Sequence, residues 1–339
     1  MNLLVIRASA MGDVALITPV IAGIRKQYPS VEMTILTRPA FESFFYSING
    51  IKLFMPDFRK RHKGFIGIIR LYRDIAKDSK TDYVIDLHDV IRSKILRWLF
   101  GLTGVPVFVI DKGRREKRYA TRGKATILLK HSVERYCDVF AAAGFPVNPV
   151  TPSIVPADND FPTDPELKLA TGEMNIGVAP YARHPLKMWP EDYMVKLLGM
   201  ISARSRTKFW LFGGRDELER LGRFQSMVPG SCIVSGKTDL KGELALIGRL
   251  DFMISMDSSN MHMAALQGTK VISIWGGTDP ITGFGAWQQP ENYSIRIPAT
   301  ELTCRPCTVY GKGKCRRGDF ACMNWLTPEK VLSRLSGLI

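Results

Sequence analysis

Short apolar runs alternate with amphipathic stretches over most of the chain. Leu3–Ile6 has the continuous apolar pattern of a buried strand, Val14–Gln27 repeats apolar residues at helical spacing, and Val31–Leu36 is a second strand. The alternation starts again at Asn175–Ala179 and continues with a helix over Glu191–Ala203. Strands that alternate with helices in this way form parallel, doubly wound sheets. The pattern therefore predicts an α/β protein with two successive domains and a ligand cleft between them.

A proline-rich stretch separates the two series. The segment from Phe145 to Pro165 contains six prolines, which is typical of a linker. We therefore predict a first domain over residues 1–160 and a second over residues 161–326. Residues 327–339 are expected to form a further helix.

The stretch Asp251–Asp279 places its polar residues where two apolar runs end. A predicted strand stops at Asp257, a short helix follows, and a second strand ends in Gly-Gly. The amides at a helix start near Ser258 suit a phosphate group, and His262, one turn further on, would add a proton donor. The same residues would also fit a capped helix and a packed histidine between two core strands. Both interpretations stay open at this point.

The first predicted strand leads into a second polar loop, which ends at Asp13. Gly12 permits a tight turn there, and Asp13 stands where the next helix begins. A carboxylate at this position is either a helix N-cap or a general base that faces the cleft. The residues alone favour the cap.

Positive charge is concentrated in the first half of the chain. Residues 1–150 contain 25 Lys and Arg against 13 Asp and Glu, a net charge of +12 out of +15 for the whole protein. Such a field attracts phosphate-bearing partners, although a merely basic surface is the alternative. Aromatic residues are not interleaved with the basic clusters, and no helix-turn-helix or zinc-finger spacing is present, so we do not expect nucleic acid.

Four motifs occur in a fixed order along the chain. They are Arg7-x-Ser-x-Met-Gly-Asp13, Lys187-x-Trp-Pro190, Gly213-Gly-x-x-Glu217 and Met256-Asp-Ser-x-x-x-His262. Together they resemble the lipopolysaccharide heptosyltransferases, which are glycosyltransferases of family 9 with the GT-B fold of two Rossmann-like domains. The resemblance covers most of the chain and both predicted domains. In this fold the C-terminal helix, here residues 327–339, often crosses back to the first domain.

The resemblance implies an activity and a set of site residues. The family transfers a heptose from ADP-heptose to the anionic lipid A–Kdo inner core, inverts the anomeric centre and needs no cofactor for catalysis. Asp13 matches its general base. The positions that match its donor-binding residues, or lie beside them, are Lys187, Arg183, Glu217, Asp257, Ser258, Ser259 and His262.

Two departures from the family pattern concern the donor. The family loop has Thr-Gly where this chain has Ser258 and Ser259, and two threonines before the lysine are replaced by Ala182 and Arg183. We expect Arg183 to supply charge in their place.

We expect the acceptor to be held by polar and basic residues of the first domain, at the cytoplasmic leaflet of the inner membrane. The predicted acceptor-binding residues are Ser9, Arg59, Arg61, Lys63, Arg114, Arg115 and Arg118.

Four cysteines fall within a short basic, glycine-rich segment over residues 302–323. They are Cys304, Cys307, Cys315 and Cys322. The spacing fits a structural zinc that holds a small loop, reduced thiols, or disulfides. No basic leader precedes the first strand and no apolar run has the length of a membrane span, so we expect a cytoplasmic protein that is peripheral to the membrane.

Two other functions remain as alternatives. One is a GT-B transferase that uses another nucleotide sugar on an anionic polysaccharide or lipid. The other is a non-catalytic module that binds anionic glycolipid, for which a base at Asp13 would be unnecessary. A dinucleotide-binding dehydrogenase is excluded because no Gly-x-Gly-x-x-Gly follows the first strand.

Overall fold

The protein consists of two compact units, each built on one parallel sheet. The computed structural model describes residues 1–122, 128–151, 154, 161–335 and 337–338. The first unit comprises Met1–Lys112 with Ser132–Ile154, and the second Gly113–His131 with Val155–Ile339. This confirms the predicted α/β class with two parallel-sheet domains. Pro152 and Pro156 of the predicted linker, and the boundary predicted at residue 160, lie outside the described residues.

The first unit has a five-stranded parallel sheet in the order β3-β2-β1-β4-β5. The order reverses at β1, because β2 lies on one side of it and β4 on the other. Ligands of open α/β sheets bind beyond the carboxyl ends of the strands at such a point. The strands are β1 Asn2–Ile6, β2 Glu32–Leu36, β3 Lys52–Phe54, β4 Tyr83–Asp86 and β5 Val107–Val109.

The helix predicted over Val14–Gln27 is two helices in the structure. Pro19 stands in the first turn of the second helix, where its lack of an N–H costs nothing. The Thr18 hydroxyl donates a hydrogen bond to the Ala15 carbonyl at 2.8 Å and so joins the two segments. The helices of the first unit are α1 Met11–Ala15, α2 Thr18–Gln27, α3 Gly64–Asp78, α4 Ile91–Leu102 and α6 Ser132–Ala142.

The second unit has a six-stranded parallel sheet in the order β11-β10-β9-β6-β7-β8. Here the order reverses between β6 and β9. The strands are β6 Met174–Ala179, β7 Thr207–Leu211, β8 Cys232–Ile233, β9 Phe252–Met256, β10 Lys270–Ile274 and β11 Ser294–Ile295. The helices are α5 Arg114–Ala120, α7 Glu191–Ser202, α8 Leu218–Met227, α9 Leu240–Ile247, α10 Ser259–Leu266, α11 Ala321–Asn324 and α12 Pro328–Arg334.

The C-terminal helix α12 packs within the second unit. Val331, Leu332 and Leu335 are buried in the hydrophobic core of that unit. Its packing partner is α7. The described part of this segment thus contributes to the second core, whereas the resemblance implied a crossing to the first domain. None of the helices in the described part of the chain is long and apolar enough to cross a membrane.

Residues 113–131 correct one feature of the predicted domain division, because they belong to the second unit. The Leu129 amide donates a hydrogen bond to the Ile281 carbonyl at 2.9 Å. The Lys117 ammonium lies 3.8 Å from the ring centroid of Phe284. Both contacts are made with residues of the second unit and not with the neighbours of the segment in sequence. Three predicted acceptor residues go with it, namely Arg114, Arg115 and Arg118.

Candidate active site

Polar loops follow both central strands of the first sheet. The loop after β1 contains Arg7 and Ser9 and leads into α1, which contains Asp13, and the loop after β4 contains His88. Because β1 and β4 are adjacent and parallel, their carboxyl ends lie at one edge of the sheet. The side chains of the two loops meet there.

Asp13 forms an ion pair with the buried Arg7. The Arg7 Nη2 lies 2.5 Å from the Asp13 Oδ2, and the same oxygen accepts a hydrogen bond from the Ala10 amide at 3.3 Å. Burial alone would lower the pKa of Arg7, but the charge and hydrogen bond of Asp13 outweigh burial and raise this pKa. The Asp13 side chain is 30% exposed. The structure therefore holds a carboxylate in a fixed orientation that a solute can reach.

Asp13 also has part of the capping role that the sequence favoured. The N-cap of α1 is Ala10 rather than Asp13, which stands at the third position of the helix. From there its carboxylate bonds back to the Ala10 amide. A cap contact and an accessible carboxylate are therefore combined in one side chain.

Arg7 is held from several directions. Its Nη1 donates a hydrogen bond to the Leu87 carbonyl at 2.5 Å, and its guanidinium lies 5.8 Å from the Tyr136 ring centroid. The Tyr136 hydroxyl donates to the Asp13 carbonyl at 3.5 Å. Burial strongly raises the pKa of Tyr136, so the phenol stays neutral. Asp13 is thus fixed through a buried cation as well as through its own helix.

His88 is a site residue that the sequence interpretation did not single out. Its Nε2 lies 3.1 Å from the Ser9 hydroxyl. Burial, with the nearby charges of Arg7 and Lys112, lowers the pKa of His88 to about 3. The imidazole is therefore neutral at physiological pH. The sequence offered one signal for this residue, since His88 follows the end of a predicted strand, where site residues of α/β sheets lie.

The three basic residues predicted to bind the acceptor in the first unit are exposed, and one of them, Arg61, is ion-paired. Arg61 makes two hydrogen bonds of 2.7 Å with the Asp74 carboxylate. This pairing, together with His62, lowers the pKa of Asp74. Arg59 and Lys63 lie exposed in the segment that leads into α3.

The second unit places Lys187 and Asp257 together at its own reversal point. Lys187 lies in the loop after β6, and Asp257 directly follows β9. The Lys187 Nζ lies 2.8 Å from the Asp257 Oδ2, which also accepts a hydrogen bond from the Thr278 hydroxyl at 2.7 Å. Asp257 is buried. The Asp257 carboxylate therefore holds the Lys187 ammonium among the loops at this edge of the second sheet.

The start of α10 adjoins this pair. Ser258 is the N-cap residue with extended backbone, and its hydroxyl lies 3.2 Å from that of Ser255. Ser259 is the first residue of the helix, and neither serine has a positive φ. The glycine of the family pattern is therefore not required by backbone conformation here. His262 is buried one turn further along α10.

Two glycines let the neighbouring loops approach closely. The Gly277 amide donates to the Leu186 carbonyl at 2.8 Å, and the Gly277 carbonyl accepts from the Cys307 amide at 3.0 Å. A Cβ at Gly276 would lie 2.8 Å from the Leu186 carbonyl oxygen, and one at Gly311 would lie 2.6 Å from the Lys187 Cγ. The cysteine-rich segment thus packs against the Lys187 loop.

Arg305 anchors that segment. It is buried and donates hydrogen bonds to the carbonyls of Gly276, at 2.7 Å, and Thr278, at 3.0 Å. It also donates to the Ile297 carbonyl. Burial lowers its pKa, and the Asp279 carboxylate 3.4 Å away opposes that effect. One buried cation thus fixes the loop that contains Thr278, and through Thr278 the carboxylate of Asp257.

Two further predicted donor residues lie on neighbouring loops. Glu217 follows β7, and its Oε2 accepts the Gly214 amide at 2.7 Å, so the carboxylate caps a short helical turn. Arg183 is exposed in the loop after β6. Burial and the charges of Lys187 and Lys312 lower the pKa of His184, which marks this loop as electropositive.

The four clustered cysteines are free thiols. Within the described ranges, no group of three or more His, Cys, Asp or Glu side chains is arranged to hold a metal. Burial raises the pKa of Cys322 to about 11 and also raises that of Cys307. Both thiols are therefore protonated at neutral pH.

Two parallel-sheet units with polar loops at their reversal points are characteristic of glycosyltransferases with the GT-B fold. A solved glycosyltransferase of family 9 from Veillonella parvula superposes with a TM-score of 0.75 at 20% identity, over 99% of this chain and 96% of its own. The Escherichia coli heptosyltransferase WaaC, solved with ADP, gives 0.66 at 20% identity over the whole of both chains.

The chain belongs to glycosyltransferase family 9 (heptosyltransferase), whose model matches residues 68–312. Among curated relatives, lipopolysaccharide heptosyltransferase 1 of Pseudomonas aeruginosa is 23% identical over 100% of this chain and 98% of its own length. The family suggested by the four motifs is therefore confirmed.

Proposed function

We propose that this glycosyltransferase moves a heptose from ADP-heptose to the lipid A–Kdo inner core of lipopolysaccharide. Its family and the names of its relatives support this activity. The observation that carries the proposal is the Lys187–Asp257 pair at the start of α10. This arrangement suits a diphosphate leaving group, since a buried carboxylate presents a cation beside the first amides of a helix.

The donor's diphosphate would bind at this electropositive edge of the second unit. Lys187 and the amides at the start of α10 would take the phosphate oxygens, with Ser258 and Ser259 adding hydroxyl donors. His262 and Arg183 would add charge or hydrogen bonds at the periphery. Glu217 would contact the ribose only if its carboxylate gave up, or shared, its bond to the Gly214 amide.

Asp13 would act as the general base in the first unit. An acceptor hydroxyl attacks the anomeric carbon of the heptose and forms the new glycosidic bond. The bond from that carbon to the β-phosphate oxygen breaks, and its electron pair leaves with ADP. The hydroxyl proton passes to the Asp13 carboxylate. Arg7 holds that carboxylate in place, while the neutral His88 and Ser9 would orient the acceptor by hydrogen bonds.

The proposal is tested by measuring ADP release from ADP-heptose in the presence and absence of a Kdo-bearing lipid A acceptor. We expect acceptor-dependent release of ADP together with a heptosylated product. A panel of other nucleotide sugars tests the alternative donors, since Ser259 and Arg183 depart from the family pattern. Preference for another sugar would reassign the donor. No turnover with any of them, despite acceptor binding, would favour the non-catalytic module.

The lipid-linked acceptor would place the protein at the cytoplasmic leaflet of the inner membrane. A structural zinc held by Cys304, Cys307, Cys315 and Cys322 remains a prediction from their spacing alone. Elemental analysis of the protein purified under reducing conditions tests it. One zinc per chain would establish the site, and a metal-free folded protein would leave four reduced thiols.

A further inference from the structure

Five large apolar side chains lie exposed on two neighbouring helices of the first unit. Isolated exposed apolar residues are common, but a concentration on one surface marks an interaction site. The two helices are neighbours, since the rings of Tyr72 and Phe100 lie 4.8 Å apart. We call the outer face of the pair the α3–α4 surface. Its apolar members, 58–79% exposed, are Phe65, Ile66, Ile91, Trp98 and Leu102.

The exposed residues of α4 form one stripe along the helix. Ile91, Trp98 and Leu102 are separated by seven and four positions, which places them on one side of a helix. The opposite side is buried through Leu96 and Phe100 in a core that α3 shares. The stripe therefore points away from the sheet.

Basic side chains interrupt this apolar surface. Helix α4 contains no acidic residue, and Lys94 lies between Ile91 and Trp98 on the exposed stripe. The two acidic residues of α3 are each ion-paired, Asp74 with Arg61 and Asp78 with Lys52. Exposed basic residues beside the apolar ones are Lys63, Arg70, Arg73 and Lys94.

We propose that the α3–α4 surface docks on the surface of an anionic phospholipid bilayer. The apolar side chains would enter the headgroup region, where tryptophan is favoured, and the lysines and arginines would contact lipid phosphates. A second copy of the same face would place these basic residues against each other. Charge complementarity therefore selects an anionic surface as the occupant.

The surface adjoins the part of the first unit that contains Asp13. Helices α3 and α4 each connect parallel strands, so they run opposite to the strands and begin at the carboxyl edge of the sheet. Phe65 and Ile91 stand at those beginnings, and Asp13 and His88 lie beyond the same edge. The inference rests on the proposed function in one respect, that the acceptor is a membrane lipid. Docking would bring its headgroup to the edge where the base lies.

The experiment is vesicle co-sedimentation of the full chain with phosphatidylcholine alone and with phosphatidylcholine mixed with phosphatidylglycerol. We expect binding to the anionic vesicles that weakens as salt is added. A triple variant, Ile91→Ser with Trp98→Ser and Leu102→Ser, should bind at least about tenfold more weakly. For the double variant Arg73→Glu with Lys94→Glu, the affinity for anionic vesicles should fall at least about fivefold for each substitution.

Matched controls change exposed residues elsewhere. Lys26→Glu lies on α2 of the same unit, and Met227→Ser lies on α8 of the second unit. Both should bind vesicles as the wild type does. Equal binding of the triple variant, equal binding to neutral vesicles, or no binding by the wild type would each overturn the proposal. A wild-type dimer that the triple variant converts to a monomer would assign the surface to a second copy instead.

Turnover separates this proposal from the proposed function. On a water-soluble, deacylated acceptor the triple variant should match the wild type, and on a vesicle-embedded acceptor it should be slower by at least about tenfold. Absence of wild-type turnover on the soluble acceptor would contradict the proposed function. Vesicle binding would still test whether the α3–α4 surface docks on an anionic bilayer.

Discussion

The Asp13 carboxylate combines a structural contact with an accessible position. Its Oδ2 is shared by the Arg7 guanidinium and the Ala10 amide, and the side chain keeps 30% of its surface exposed. A carboxylate with only a capping role would not require a buried arginine beneath it. The ion pair fixes the direction in which the carboxylate accepts a proton, which is the property that a general base needs.

Replacing Asp13 by Asn removes the proton acceptor and preserves the shape of the side chain. We expect turnover to fall by at least about 100-fold, because general base catalysis contributes 10²–10⁴. Donor affinity should not change, since the Lys187 site lies in the other unit. Steady-state ADP release and calorimetric titration with ADP would measure both. Asp78→Asn, which changes an ion-paired carboxylate of α3 in the same unit, is the control and should retain full turnover.

We expect His88 to make the stability of the protein depend on pH. Its ordinary pKa is 6.5, but in the folded protein burial lowers it to about 3. Between these values the unfolded chain binds a proton that the folded chain does not. Stability is therefore complete above pH 6.5 and falls as the pH decreases toward 3. At pH 5 this residue alone should lower the free energy of unfolding by about 2 kcal/mol.

Urea unfolding at pH 7 and pH 5, for the wild type and for His88→Gln, would measure this effect. The variant cannot take up the proton, so its stability should fall less between the two pH values. An equal fall in both proteins would show that the imidazole of His88 titrates normally.

At the scale of elements, the cysteine-rich segment supports, through Arg305, the loops that are proposed to bind the donor. Its guanidinium bonds the carbonyls of Gly276 and Thr278 and faces the buried Asp279. Arg305→Met would leave these groups without their partner, and removing one member of a buried charged network costs about 3–5 kcal/mol. We expect a loss of this order in the free energy of unfolding, with weaker binding of ADP.

The control for Arg305→Met is Arg317→Met, which changes another arginine of the cysteine-rich segment. Arg317 pairs with Asp319 at 2.9 Å, but both side chains are more than 40% exposed. Exposed ion pairs contribute little to stability, so this variant should unfold almost as the wild type does. Similar losses in the two variants would show that Arg305 is not the anchor of the segment. Chemical denaturation of both proteins decides this.

The alternation of helices and strands could be predicted because the spacing of apolar residues within each element reflects which of its sides is buried. The apolar run of β9 and the polar stop at Asp257 are visible in the sequence, and so is the start of α10 near Ser258. The break between α1 and α2 was missed, since the apolar residues keep helical spacing through it. Pro19 was the available signal, because proline favours the first turn of a helix.

At the scale of the whole molecule, the positive charge is not concentrated in the first unit, although it is concentrated in the first half of the sequence. The first half of the chain has a net charge of +12, yet the first unit has 18 Lys and Arg against 12 Asp and Glu, a net of +6. The second unit has 29 against 20, a net of +9. The transfer of residues 113–131 accounts for this change. A high net charge therefore does not distinguish the unit that is proposed to bind the acceptor, and the local α3–α4 surface is the better-defined basic feature.

The proposed donor site has all its residues in the second unit, so its occupation by ADP should stabilise the protein. A ligand at about 100 times its Kd adds about 2.7 kcal/mol to the folded state that binds it. We expect ADP to raise the melting temperature by several degrees. Lys187→Met should abolish the shift, while Asp13→Asn should keep it. Differential scanning calorimetry with and without ADP measures this, and a shift in Lys187→Met equal to that of the wild type would remove the lysine from the phosphate site.

The sequence by itself determined the α/β class, the family and the strand-end segments that contain Asp13, Lys187 and Asp257. These follow from local patterns, since periodicity and strand-end residues reflect which side of each element is buried. The tertiary structure alone decided that residues 113–131 join the second unit and that Arg7, His88 and Arg305 hold the site residues in place. Those outcomes depend on contacts such as that between Leu129 and Ile281, whose residues are far apart in the chain. Such contacts leave no periodic trace in the sequence, because only the packing of distant segments creates them.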